Sequence, residues 1–146
     1  MSSQIPVMIF TDGACDPNPG KGGWAVVIQQ DGEVKTLSGG EAQTTNNRME
    51  LMAVIMALRT ISASIPVVIN SDSEYVKKGI TEWMPDWKKR GWKRKGGTLA
   101  NLDLWQELDR LNSKAKVTWR WVKGHAGHPM NELADQLASK ASQKTR

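Results

Sequence analysis

The sequence predicts an α/β fold, an α+β mixed sheet of five strands with helices packed on its faces. Three observations predict it. Three strand-like runs stand together at the start of the chain, and helix-like and strand-like runs then alternate. One of the helical runs is so apolar that it must lie buried against the sheet.

Residues 5–13 (IPVMIFTDG) alternate and end in an Asp-Gly turn signal, which reads as a first strand. Residues 23–30 (GWAVVIQQ) follow a Pro/Gly-rich loop and form the second. Residues 32–40 (GEVKTLSGG) form the third, reached through QDG, a hairpin signal. A helix is expected over about 45–62, where Met49 to Leu58 leave almost no polar face. The β-branched run 65–73 (IPVVINSDS) is too short for a helix and suits a central strand. The connection from the first strand through the long helix to this fourth strand is long enough for parallel pairing.

A short helix near 74–79, a helix near 81–89, a basic loop and a helix near 102–112 come next. Residues 116–124 (KVTWRWVKG) alternate and read as the last strand. A helix starting near Pro129 closes the chain. Its Met130, Leu133, Ala134, Leu137, Ala138 and Ala141 keep a helical period, and Pro129 suits its first turn.

The 146 residues suit one domain, 1–146, with a basic protrusion at about 81–100. No apolar run approaches the roughly 18 residues needed to span a membrane, and the first residues lack the pattern of a signal peptide. A lone cysteine, Cys15, excludes an internal disulfide and fits a reducing, cytoplasmic setting. No oligomerisation signal or obligate protein partner is marked, so a monomer is expected.

The net charge is +5, and its location matters more than its size. The segment KKRGWKRK (88–95) carries six of the twenty basic residues; without it, fourteen basic face fifteen acidic residues. Such a run is commonly a solvated face. Here Trp83, Trp87 and Trp92 are interleaved with the charges, and basic residues with aromatics suit nucleic acid.

Four carboxylates stand out. Asp12 and Asp72 follow the first and fourth strands, and parallel neighbours would bring both to one sheet edge, where α/β folds place their sites. Glu50 sits inside the apolar helix, where a carboxylate is costly unless something pairs with it. Asp135 lies just outside the apolar stripe of the closing helix. Converging carboxylates repel and raise each other's pKa; a hard divalent cation, Mg²⁺ or Mn²⁺, relieves this. Each also has a plainer reading. Asp12 could make a turn, Asp72 could cap the short helix, Asp135 could be solvated, and Glu50 could pair with Arg48 or Arg59.

Other signals fail. GKGGWA at 20–25 matches a dinucleotide fingerprint by letters, but a strand follows it, so a hairpin loop is expected. His125 and His128 with one distant cysteine do not make a zinc site.

IFTDGACDPNPGKGGWA, TTNNRMELMA, SDSEYV, GITEWMPDWKKRGWK, NLDLW and WVKGHAGHPMNELAD, in that order, resemble the bacterial type 1 ribonuclease H family over about residues 7–141. The resemblance implies a ribonuclease H-like five-stranded mixed sheet flanked by helices. It implies endonucleolytic cleavage of the RNA strand of RNA–DNA hybrids. It puts the family's catalytic and metal-binding carboxylates on Asp12, Glu50, Asp72 and Asp135, and its catalytic histidine on His125. Two Mg²⁺ ions (Mn²⁺ as a substitute) roughly 3.5–4 Å apart would activate a water and stabilise the leaving 3′-oxygen, giving 5′-phosphate and 3′-hydroxyl ends. His125 would accept a proton or help product leave.

RNA is told from DNA by its 2′-hydroxyl. The resemblance assigns those hydroxyls to Asn18, Asn46, Asn47 and the backbone near Cys15. It assigns a DNA-strand phosphate to Thr45 and Asn101, and the DNA groove to Trp83 and Trp87. Trp92 with Lys88, Lys89, Arg90, Lys93, Arg94 and Lys95 resembles the basic protrusion that grips the hybrid. Asn46 and Asn47 could instead cap the long helix, and Trp83 and Trp87 could be core. At position 74 this chain has Glu where Gln is expected, an added negative charge near the RNA backbone. No separate hybrid-binding domain is expected, so the basic loop would do that work. Two other readings stay open: a hybrid-binding module without catalysis, and a related-fold nuclease acting on DNA.

Overall fold

Alternation along the first strand, β1 (Val7–Cys15), sorts its side chains between two cores. Val7 and Ile9 join one core, and Phe10 joins the other. The computed structural model describes residues 5–93, 99–123 and 128–145. After β1 come β2 (Gly20–Gln30), β3 (Glu33–Thr44), α1 (Asn46–Thr60), β4 (Val67–Ser71) and α2 (Glu74–Lys78). A π-helical turn (Gly79–Trp83) leads into α3 (Met84–Lys89), followed by α4 (Leu102–Lys114), β5 (Val117–Trp121) and α5 (Pro129–Lys144).

The five strands form one mixed sheet in the order β3-β2-β1-β4-β5. β1, β2 and β3 are antiparallel neighbours, whereas β1–β4 and β4–β5 are parallel, as crossovers through helices allow. One face buries Ile9, Val26, Ile28 and Ile69 against Leu51, Val54 and Ile55 of α1 and Trp105 and Leu108 of α4. The other buries Phe10 and Val27 against Ala134 of α5. Among the described residues no helix is long and apolar enough to cross a membrane.

Three details differ from the sequence reading. β1 does not turn at Asp12-Gly13; it runs on to Cys15 because β2 pairs with it as far as Cys15↔Gly22. Gly20 to Gly23 are not a hairpin loop but the start of β2. A Cβ on Gly23 would lie 2.5 Å from the Ser142 amide nitrogen, so this glycine lets α5 press onto the strand. The two helices expected near 74–79 and 81–89 are one winding path, α2 to α3, joined by the π turn instead of a break.

Candidate active site

The parallel pairing of β1 with β4 stops at Phe10↔Asn70. Asp12 and Asp72 each lie two residues further on, where the strands part. Gly13 sets the third group. A Cβ there would lie 2.5 Å from the Met49 carbonyl carbon, so the backbone of α1 rests directly on β1. That contact brings Glu50 to the same edge. Asp12 has the parity of Phe10 and thus faces α5, where Asp135 hydrogen-bonds to it.

Asp12 is largely buried, and its carboxyl is pushed up to about 8 from an ordinary 3.8. Burial contributes most, then the Asp72 charge; the hydrogen bond and charge of Asp135 add to it. The Gly13 N–H, donating to Asp12 Oδ1 at 2.9 Å, pulls the other way. Glu50 is also raised, first by burial and then by Asp72, against hydrogen bonds from Ser73 and Asn46. Desolvation therefore exceeds mutual repulsion at both groups.

The plainer readings of these residues do not hold in the structure. Asp12 is mid-strand, opposite Ala25. The N-cap of α2 is Ser73, not Asp72. Arg48 pairs with Asp103 and Arg59 with Glu107, so neither serves Glu50. Instead Asn46 Nδ2 donates to Glu50 Oε1 at 3.0 Å, one helical turn away, and the Ser73 hydroxyl donates to Oε2. Asp135 is half-buried against Asp12.

Among the described residues, no three Asp, Glu, His or Cys side chains are gathered tightly enough to hold a metal ion as they stand. Glu50 is tied to Asn46 and Ser73 and also feels the Asp72 charge. The donor set nonetheless fits a hard divalent cation. It is all carboxylate oxygen, and two of its members are pushed toward the protonated state, first by burial and then by the Asp72 charge.

The loop between β1 and β2 closes over the start of α1. Asn18 Oδ1 accepts from the Asn46 backbone N–H at 3.1 Å. The Cys15 thiol points at the carbonyls of Pro17, Thr44 and Gly20 at 3.3, 3.5 and 3.6 Å. Thr45, not Asn46 or Asn47, is the N-cap of α1, its hydroxyl accepting from the Arg48 N–H at 3.2 Å. Asn47 is exposed.

Further along, Tyr75, Trp83, Trp87, Leu99 and Ala100 line a cleft of about 360 Å³. Trp83 and Trp87 thus do both jobs, packing on the core and walling a groove. Tyr75 Oη accepts from Asn101 Nδ2 at 2.9 Å and from Trp105 Nε1 at 3.1 Å. Trp92 has φ 65°, rare for a bulky residue, and packs near Trp87. In the basic segment, Lys88 pairs with Asp109 at 3.1 Å and Arg90 with Asp86 at 3.4 Å, while Lys89 and Lys93 are exposed. His125, Arg94 and Lys95 lie outside the described residues.

Sequence reasoning missed Ser73, Tyr75 and the Arg48–Asp103 pair. Ser73 had a signal, a serine at a helix start. The pair had none, being 55 positions apart.

The RNase H family model matches residues 4–143. Ribonuclease H of Marinobacter nauticus is 56% identical over 135 residues, covering 92% of each chain. Ribonuclease HI of Pseudomonas putida is 55% identical over 141 residues, covering 96% of this chain and 95% of that one. Among solved structures, LC9-RNase H1, described as a type 1 RNase H with the type 2 active-site motif, superimposes with a TM-score of 0.85 at 40% identity over 99% of this chain and 76% of that one. LC11-RNase H1, solved in complex with RNA/DNA hybrid, shares the fold with a TM-score of 0.71 at 22% identity, covering 94% of this chain and 97% of that one.

Proposed function

The chain belongs to the ribonuclease H family, and on that premise we propose that it is an endonuclease cleaving the RNA strand of RNA–DNA hybrids, with Asp12, Glu50, Asp72 and Asp135 holding two divalent cations at the scissile phosphate. The observation that supports the reading is pairwise: Asp12 interacts with Asp72 and Asp135, and Glu50 with Asp72, where β1 and β4 part. Bound Mg²⁺ would supply an activated water and a counter-charge for the leaving oxygen.

The chain's own groups do the rest. Asn46 and Ser73 aim the two oxygens of Glu50, so the carboxylate is oriented before substrate arrives. Asp12, Glu50, Asp72 and Asp135 would hold the cations as carboxylates, since metal ligands must be ionised. His125 takes the proton from the attacking water or assists product release. The RNA strand lies along Asn18, Asn46, Asn47 and the backbone at Cys15, where 2′-hydroxyls are read. The DNA strand lies along Trp83 and Trp87, with one phosphate at Thr45 and Asn101. Lys88, Lys89, Arg90, Trp92 and Lys93 grip the flanking duplex. The enzyme acts as a cytoplasmic monomer.

The test is cleavage of an end-labelled hybrid across an Mg²⁺ titration, with duplex DNA and duplex RNA as controls and Asp12→Asn as the inactive variant. RNA-strand products with 5′-phosphate ends, from hybrid only and only with Mg²⁺, are expected. Binding without cleavage would favour a non-catalytic module, and cutting of duplex DNA a related-fold DNA nuclease.

A further inference from the structure

Arg48 stands among the residues assigned to the DNA phosphate, and an acidic side chain already occupies it. Its backbone N–H donates to the Thr45 hydroxyl and its Nη1 donates to Asn101 Oδ1, each at 3.2 Å. The guanidinium therefore reaches Asn101, one of the two residues assigned to that phosphate, while the first bond is the N-cap of α1. The same group grips Asp103, Nη1 to Oδ1 at 3.1 Å and Nη2 to Oδ2 at 2.9 Å. Two parallel N–H···O bonds are the geometry with which arginine takes carboxylate and phosphate alike. The Arg48 side chain is 29% exposed and that of Asp103 is 65% exposed, so the cation is fixed in the pocket while its anion sits at the rim. Asp103 is firmly ionised, its carboxyl held below the usual range by Arg48 and also by the Leu104 N–H. Glu41 adds a second negative charge facing Arg48.

Resting on the phosphate-pocket reading above, we propose that Asp103 is a resident competitor for the DNA-strand phosphate, occupying Arg48 in the free protein and surrendering it when the hybrid binds. An exposed ion pair is weak enough to yield. The exchange keeps the guanidinium paired throughout, so no half-buried charge is stranded.

Asp103→Asn and, independently, Asp103→Ser remove the competing charge and keep a small polar side chain in the first turn of α4. Fluorescence anisotropy of a labelled hybrid in EDTA reads binding without cleavage. Both variants should bind roughly two- to fivefold more tightly, the worth of one exposed ion pair. The gain should vanish when Arg48→Ala is added, and on hybrids carrying a neutral methylphosphonate at the one DNA-strand linkage the pocket holds. Equal or weaker binding by both variants, with the wild type still sensitive to that linkage, overturns the competitor role and leaves the pocket standing. A gain that survives the neutral linkage is a general charge effect and overturns it too. A wild type insensitive to neutralisation at every linkage overturns the pocket reading itself, and the inference with it.

Discussion

Asparagine in place of Asp12 is expected to stabilise the metal-free protein at neutral pH. The folded carboxyl keeps its proton up to about pH 8, whereas the unfolded one loses it near 3.8. Between those values the folded state binds more protons than the unfolded state, so stability falls as pH rises through the window. At pH 7 the full effect would be about 4 kcal/mol. Asp12 is hydrogen-bonded to Asp135 and biased by the Asp72 charge, so roughly half of that, about 2 kcal/mol, is expected for this one substitution. For a chain of this size that raises Tm by about 4–8 °C. The assay is thermal unfolding by circular dichroism in EDTA at pH 4, 5.5, 7 and 8. The gain of Asp12→Asn should be near zero at pH 4 and grow toward pH 8. Saturating Mg²⁺ should raise the wild type and leave the variant little changed, since only the wild type gains a tight ligand. An equal gain at pH 4 and pH 8, or a loss at pH 8, would refute the reasoning.

Three further predictions concern the supports of the site. Ser73→Ala removes both the α2 cap and one bond to Glu50; it should cost about 1 kcal/mol in urea unfolding and lower kcat for hybrid cleavage with KM little changed. Gly13→Ala places a methyl against the Met49 backbone and should cost roughly 1–3 kcal/mol; cleavage should fall as well, because lifting α1 off β1 carries Glu50 away. Replacing Lys88, Lys89 and Arg90 together with Ala should weaken hybrid binding and flatten its salt dependence, with kcat at saturating substrate unchanged. The slope of log affinity against log salt should fall by less than the three charges imply, because Lys88 and Arg90 already have carboxylate partners.

Sequence reading reached the architecture because the apolar periods of β1 and α5 and the apolar runs of α1 and β4 belong to single elements and survive packing. Glu50 was legible for the opposite reason: a carboxylate in an apolar helix contradicts its surroundings. The strand boundary at Asp12 was not legible. Asp-Gly is a turn signal only if no partner continues the ladder, and β2 continues it. Nor was the helical path from Glu74 to Lys89, where one π turn replaces the expected break. The repulsion at Asp12 follows from charges alone and was legible; the larger push, burial, depends on what packs around the group and was not. Arg48 and Asp103 meet only because α1 and α4 pack side by side.

The wall that α5 builds on the far side of β1 has a bearing on how the molecule comes into being. Asp135, and the Ala134 that seals the Phe10 core, belong to the final stretch of chain. Until α5 docks, the Phe10 face of the sheet lacks that wall and Asp12 lacks Asp135. Recovery of hybrid cutting during refolding should therefore require the docking of α5, which makes activity a reporter of that contact.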